Sequence, residues 1–299
     1  MRRRMLLVGA LAVIAVSAVL VSGASGSAGS MQSRWVIRDL GKWKPTAINA
    51  RGDIVGSRAT SKCGGQPVLW RNGRITVVTA RGDCGVANAV NDRGQVVGRH
   101  KLLFPWAAFL WRGGTITELG DKSSISAASD VDSHGRVVGT SAYYLGGRDS
   151  EDEDPSTWNE PRAWLWRDGK MTGLGTLGGN ASIARAVNDV GQVVGESTTK
   201  SNRTHAFLSQ SGKMVDLGTL AGATSRATAV NGRGQVVGCA SITARTDHAF
   251  LWQNGTMRDL GTLDNTSKAV AVNDQGQVIG WSDAKDGWRH AVLWTLRSG

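Results

Sequence analysis

Along most of this chain apolar residues come in short runs, each closed by a cluster of Asn, Asp and Gly. Runs such as Gln95-Val-Val-Gly98 are rich in β-branched residues and too short for a helix, so they predict strands. The polar clusters predict how the strands are joined. In Asn91-Asp-Arg-Gly94 turn-forming side chains precede a glycine able to take the left-handed conformation, which is a hairpin connection. Asn-Gly pairs beginning at Asn72 and Asn254 give a second hairpin signal.

The pattern repeats. The stretch from Ala89 to Gly98, Ala-Val-Asn-Asp-Arg-Gly-Gln-Val-Val-Gly, recurs from Ala186, Ala229 and Ala271, with looser copies from Ala47 and Asp130. The central glycines Gly52, Gly94, Gly135, Gly191, Gly234 and Gly276 are spaced 42, 41, 56, 43 and 42 residues apart. One insertion, at about 141–161 in the third unit, breaks the period. A second apolar patch follows in every unit and ends at Trp70, Trp111, Trp166, Ser209, Trp252 or Trp294. A short turn and a fourth strand-like segment complete the unit. Four antiparallel strands in about 42 residues is the size of one propeller blade. A lone sheet of that size cannot bury both faces, so blades must pack on each other. One large ring per blade at the same register reads as packing between blades.

These features predict an all-β, six-bladed β-propeller. The segment from Trp35 to Gly41, Trp-Val-Ile-Arg-Asp-Leu-Gly, matches the fourth segment of later units, ending Met257-Arg-Asp-Leu-Gly261, whereas the sixth unit stops after its third segment. The N-terminal strand is therefore expected to complete the last blade, closing the ring and removing open sheet edges. Residues 1–28 are read as a signal peptide, 29–34 as a short linker and 35–299 as the propeller.

The signal reading rests on Arg2, Arg3 and Arg4 ahead of an uncharged apolar run from Met5 to Val21, followed by small-x-Ala sites ending at Ala24 and Ala28. A secreted, extracellular product is expected, held in the cell envelope if the signal is not cleaved and without stable membrane insertion once it is. Removing the three arginines lowers the formal charge from +11 to +8. The remaining surplus is scattered and not interleaved with aromatics, which argues against a nucleic-acid partner. Among the three cysteines, Cys63 and Cys84 are close enough in sequence to bridge in an oxidising compartment, leaving Cys239 as a packed thiol.

The triplets His205-Ala-Phe207 and His248-Ala-Phe250, each followed by Leu and by a downstream Asp-Leu-Gly-Thr-Leu, closely resemble the bacterial extracellular HAF repeat family. The resemblance spans nearly all of Trp35 to Leu296. It implies an exported repeat protein, and it carries over no catalytic residue because the family has no established activity. Other units depart from it, with Gln66, Ala107 and Arg162 at the His position and Ser209 in place of a Trp.

Candidate chemistry is sparse. His205, His248 and His290 occupy equivalent positions, too far apart on a ring to share a metal, and are expected to bond a neighbouring blade's backbone. Asp92, Asp189 and Asp274 recur, and turn formation accounts for them. No metal, cofactor or catalytic group is assigned. The acidic run from Asp149 to Asp154 reads as a solvated loop. Strand parity puts the Asn-Asp-x-Gly and Asn-Gly turns on one face and the variable connections on the other. The variable face carries Lys101, Phe104, Trp106, Arg203, Trp281, Trp288 and Arg289, the expected ligand-binding set. The reading is a monomeric, non-enzymatic binding module for an extracellular glycan or protein. The alternatives are a lyase or glycosidase with its site at the channel mouth and a structural cell-surface component.

Overall fold

The computed structural model describes residues 38–296 except 61–64, 80–82, 102–105, 121–123 and 144–159. The first sheet contains β1 (Lys44–Ile48), β2 (Ile54–Arg58), β3 (Gln66–Arg71) and β4 (Arg74–Val77), and the second β5 (Cys84–Val90), β6 (Val96–Lys101), β7 (Ala107–Arg112) and β8 (Thr115–Leu119). The third holds β9 (Ser124–Val131), β10 (Val137–Tyr143), β11 (Arg162–Arg167) and β12 (Lys170–Gly173), and the fourth β13 (Gly178–Val187), β14 (Val193–Thr199), β15 (Thr204–Gln210) and β16 (Lys213–Asp216). In the fifth are β17 (Ser225–Val230), β18 (Val236–Ser241), β19 (Asp247–Gln253) and β20 (Thr256–Asp259), and in the sixth β21 (Ser267–Val272), β22 (Val278–Asp283) and β23 (Arg289–Trp294). Every sheet is an antiparallel meander in sequence order. Successive first strands lie close together, so each blade runs from an inner first strand to an outer fourth. This is the six-bladed propeller that the repeat predicts.

The apolar core lies between sheets, which is the packing a propeller requires. Five clusters of buried residues bridge successive blades. The third strand shows how one sequence serves two neighbours. In β15 and β19, Ala206 and Leu208 pack toward the following blade, whereas Phe250 and Trp252 pack toward the preceding one. The deepest rings are Phe109, Phe207 and Phe250, each 0% exposed. Trp111, Trp166, Trp252 and Trp294 join these clusters at their margins, in keeping with a packing role.

Hydrogen bonds lock the same junctions. Each recurring turn places its glycine at positive φ, from 73° at Gly94 to 86° at Gly191, the region a Cβ would disfavour. The turn's Asn then serves two blades. The Oδ1 of Asn231 accepts the backbone N–H groups of Arg233 and Gln235 in its own turn. Its Nδ2 donates at 2.8 Å to the carbonyl of Asn273 in the next blade. Asn49, Asn91 and Asn188 make the same cross-blade bond, each at 2.8 Å.

Blade three carries Asp132 at this position and has no amide to donate. Arg136, standing where other blades have Gln or Asp53, bonds Asp132 and donates Nη2 at 2.7 Å to the carbonyl of Asp189 in blade four. One donor has moved four residues along the chain and still reaches the neighbouring turn.

Two further ties work in parallel. A β-bulge in each first strand re-aims one side chain at the next blade, so that Asn88 Nδ2 bonds Ala128 O at 2.8 Å and Thr228 Oγ1 bonds Ala269 O at 2.9 Å. Near the opposite end of the blade, Ser182 Oγ accepts from Ala163 N at 3.0 Å and donates to Gly175 O at 2.7 Å. Ser126, Ser225 and Ser267 repeat the arrangement.

Ring closure by the N-terminal strand is not made among the described residues. The sixth sheet has three strands, Arg38–Trp43 form none, and residues 35–37 lie outside the described set. Among the described residues no apolar cluster joins blade six to blade one, and Leu293 is 59% exposed where Leu110, packed against blade three, is 1% exposed.

Blade three specifies a test of the cross-blade tie. Asn231→Asp is expected to destabilise the chain by about 1–3 kcal/mol, because a carboxylate replaces the buried donor facing Asn273 O. Adding Gln235→Arg copies the Asp132–Arg136 arrangement and should recover about 1–2 kcal/mol of that loss. Urea unfolding of the two single variants and the double variant measures the coupling, and simple additivity would refute the exchange.

Candidate functional site

The meander fixes two unlike faces. The recurring turns and the third-to-fourth-strand turns lie on one, and the second-to-third-strand connections lie on the other. On the variable face the structure gathers two cation–aromatic groups, built from the expected Lys101, Trp106, Trp281 and Arg289 together with Arg99, which was not among them. In blade two, the Arg99 guanidinium lies 4.6 Å and the Lys101 ammonium 5.7 Å from the centre of the Trp106 ring. In blade six, the Arg289 guanidinium lies 4.1 Å from the Trp281 ring. Contacts of this kind are attractive through the ring quadrupole. They also fix the orientation of each indole.

Among the described residues Trp288 is the most exposed aromatic ring on this face, at 75%. It stands on an ordered turn, not a loose one. Its backbone N–H donates to Asp286 Oδ1 at 3.0 Å, and its carbonyl accepts from Ala284 N at 2.9 Å. The Trp288 amide, together with His290 Nε2 at 2.9 Å, holds the Asp286 carboxyl below its ordinary value. Arg203 is exposed in the blade-four connection, where its carbonyl accepts from Thr199 N. Phe104 lies outside the described residues, as do Cys63, the acidic run 149–154 and most of the insertion. Cys84 opens β5.

The turn face is richer in polar contacts than the sequence suggests. Asp132, His134 and Asp189 offer ligand atoms within 4.8 Å of one another beside a depression lined by Arg136, Arg167 and Asp168. Existing bonds already occupy these oxygens. Asp132 Oδ1 accepts two backbone N–H groups and Oδ2 faces Arg136, while Asp189 Oδ1 accepts from Ser133 N at 2.9 Å. The arrangement fastens blades and assigns no metal.

Two expectations are corrected here. The recurring Asp reaches beyond its own turn: Asp92, Asp189 and Asp274 accept the backbone N–H of Ala50, Ser133 and Gly232 in the preceding blade, each at 2.9 Å. Nor do the repeated histidines bond a neighbouring blade. His205 Nδ1 meets Asp216 Oδ2, and His248 Nδ1 meets Asp259 Oδ2, both at 2.8 Å and both within one sheet. A sequence signal for this existed, since an Asp stands 11 residues after the His in those two units.

Two buried groups stand apart from both faces. Cys239 is a free thiol whose pKa burial pushes up, as expected of a packed cysteine. His100, 1% exposed, stacks edge-on against Phe109 at 5.4 Å, with Asp83 Oδ2 3.5 Å from its Nδ1. No repeat position or neighbouring pattern predicts this histidine inside.

The fold and its two faces define a β-propeller with a fastened turn side and an open loop side. Neither protein-family models nor curated proteins give a match to this chain. Among solved structures it is similar to TolB from Acinetobacter baumannii, at 13% identity and a TM-score of 0.49, over 80% of this chain and 63% of that one. The chain thus spans less than two thirds of the length of TolB.

Asp53 makes the turn face sensitive to acid. Burial raises its pKa, but hydrogen bonds from Arg71, Asn49 and Arg51 outweigh that and bring it down from 3.8 to about 2. A carboxyl depressed on folding stabilises the native state above its unfolded value, and loses that contribution as pH falls through the folded one. Asp53→Asn should therefore cost about 2 kcal/mol at pH 7, a difference from the parent that disappears between about pH 4 and pH 2. Unfolding midpoints followed over that range decide it. A pH-independent difference would show that the ion pair with Arg71 contributes nothing specific.

Proposed function

We propose that this chain is an exported, non-enzymatic repeat protein of the HAF type that binds an extracellular glycan through its variable-loop face. The Trp288 indole carries the reading: a large ring on an internally bonded turn, beside the Arg289-stacked Trp281. Aromatic faces combined with a few fixed polar groups suit the alternating C–H and hydroxyl surfaces of sugars. The Trp106 group of blade two offers a second platform of the same composition. The apolar N-terminal run from Met5 to Val21 supports export as a signal, and an oxidising destination suits a Cys63–Cys84 bridge. On this reading the mature protein is a monomer, with its turn face closed off by bonds between blades.

A glycan array with the mature chain identifies the ligand, and titration of the Trp281→Ala, Trp288→Ala double variant tests the site. Binding should weaken by about tenfold or more; Trp288→Ala alone should change the unfolding free energy by no more than about 0.5 kcal/mol, since an exposed turn residue is being removed, whereas Trp281 is half-buried in β22 and its removal costs more. Undiminished binding by the double variant would sink the assignment.

A further inference from the structure

The bonds that close the turn face against entry leave its outer surface unevenly charged. Each blade shows this face a recurring turn, such as 49–53, and a turn between its third and fourth strands, such as 71–74. In blades one to three these turns carry eight Lys and Arg side chains against four Asp, whereas in blades four to six the described residues carry two against two. The acidic residues of the first half also point inward. Asp53 and Asp132 are buried, and Asp92 is half-buried on the N–H of Ala50, which leaves Asp168 as the exposed carboxylate of that half. Arg51, Arg93, Arg112 and Arg167 are exposed. The positive surplus that looks scattered along the sequence is thus gathered on one side of one face.

The guanidinium groups form a continuous row because each blade's arginines reach the next blade's turn. A Cβ at Gly94 would meet guanidinium nitrogens of both Arg51 and Arg71 from blade one, one at Gly135 would meet Arg112 from blade two, and one at Gly191 would meet Arg136 from blade three. Arg93 extends the row, with Nη1 3.4 Å from His134 O. Arg112 is steadied 5.7 Å from the centre of the Trp166 ring. The row ends at a depression of about 140 Å³ lined by His134, Gly135, Arg136, Arg167 and Asp168. Pockets for free small molecules run to about 300–1,000 Å³, so this hollow suits a single acidic group on a longer molecule.

We propose that this arc of blades one to three binds a linear carboxylated polysaccharide, at a site separate from the loop face. Seven of its eight cations are arginine, whose planar fork pairs bidentately with a carboxylate. The bonds to Asp53 and Asp132 hold Arg51, Arg71 and Arg136 in fixed orientations, so little freedom is lost when an anion arrives. The turns of these blades contain no Trp, Tyr or Phe, which a nucleic-acid strand would need for base stacking. A row confined to half the face matches a strand-like polymer, whereas an anionic lipid surface would meet the neutral half as well.

Titration of the full chain with polygalacturonate, and with the same polymer fully methyl-esterified, tests the arc. The acid form should bind and the ester should not, and affinity for the acid form should fall about tenfold or more between about 0.05 and 0.2 M salt. Arg51→Gln, Arg93→Gln and Arg167→Gln together should weaken binding at least about tenfold, whereas Lys200→Gln, Arg245→Gln and Arg258→Gln, the same loss of charge outside the arc, should change it less than about twofold. If the first triple variant fails to fold, Arg167→Gln alone serves in its place. Asp168→Asn removes the exposed carboxylate and should tighten binding. The Trp281→Ala, Trp288→Ala variant should bind the polymer as the parent does, which separates this site from the loop face. No binding of the acid form, equal binding of the ester, or equal weakening by the two triple variants overturns the proposal. So does binding that the tryptophan variant loses and the arginine variant keeps, since the polymer then sits on the loop face. Tighter binding of duplex DNA or of phosphatidylglycerol vesicles than of polygalacturonate also overturns it.

Discussion

The amide of the recurring turn asparagine is the bond on which the architecture depends. Its oxygen organises the local turn and its nitrogen crosses to the next blade, so folding one hairpin presents the donor that recruits the next. This dual use answers a problem of size. A sheet of four short strands is too small to bury an apolar face alone, so neither hairpin nor blade is stable until a neighbour arrives. The apolar clusters supply most of the gain. They are not directional, however, and leave the angle between blades undefined; the turn bond at one end and the serine pair at the other hold it at two points.

What each junction conserves is the count of donors and acceptors, not the residue types. Blade five is neutral, with Asn231 bonding Gln235 and Gln235 in turn bonding Gln253. Blade one places Asp53 at the Gln position and matches it with Arg71 at the end of the third strand. Blade three places the charge at the Asn position and matches it with Arg136. A buried carboxylate without such a partner would be costly, which is why each acidic replacement stands with a nearby arginine.

Local chemistry made the strands, the turns and the six-fold count legible, because each rests on neighbours in sequence. Gly94 reveals its left-handed turn within four residues. Interactions reaching a whole repeat away were harder to see. Asp92 has every property of a turn former, and that sufficiency hid its bond to Ala50, 42 residues earlier. The clue lay in the partner position, which holds Ala50, Ser133 or Gly232, small residues that leave the N–H uncovered. The recurring tryptophans drew attention away from Phe207 and Phe250, which are smaller and therefore fit the fully enclosed sites between blades. His100 had no repeat counterpart to compare, and only the three-dimensional packing against Phe109 places it. The aromatic groups of the loop face were legible as departures from the period, and Arg289 with them, though not Arg99, which stacks on Trp106 from within β6.

The distribution of bonds explains why such departures gather on one face. Side-chain ties between blades concentrate at the recurring turns, at the first-strand bulge and at the serine that begins the strand. The second-to-third-strand connections meet the next blade at their last residue and through the backbone, where Gly65 O accepts from Gly85 N, Trp106 O from Ser126 N and Pro161 O from Ser182 N. Further into the connections the bonds are internal: Ala284 with Trp288 and Asp286 with His290 in blade six, Thr199 with Arg203 in blade four, Thr243 with Thr246 in blade five. Any residue supplies a backbone carbonyl, so the loop's length and side chains are free to vary while the turn face stays uniform. The same separation lets a large apolar ring remain in water. Trp288 contributes nothing to closing the ring, so its exposure costs the fold nothing, and the rigidity of its turn serves whatever meets it from outside.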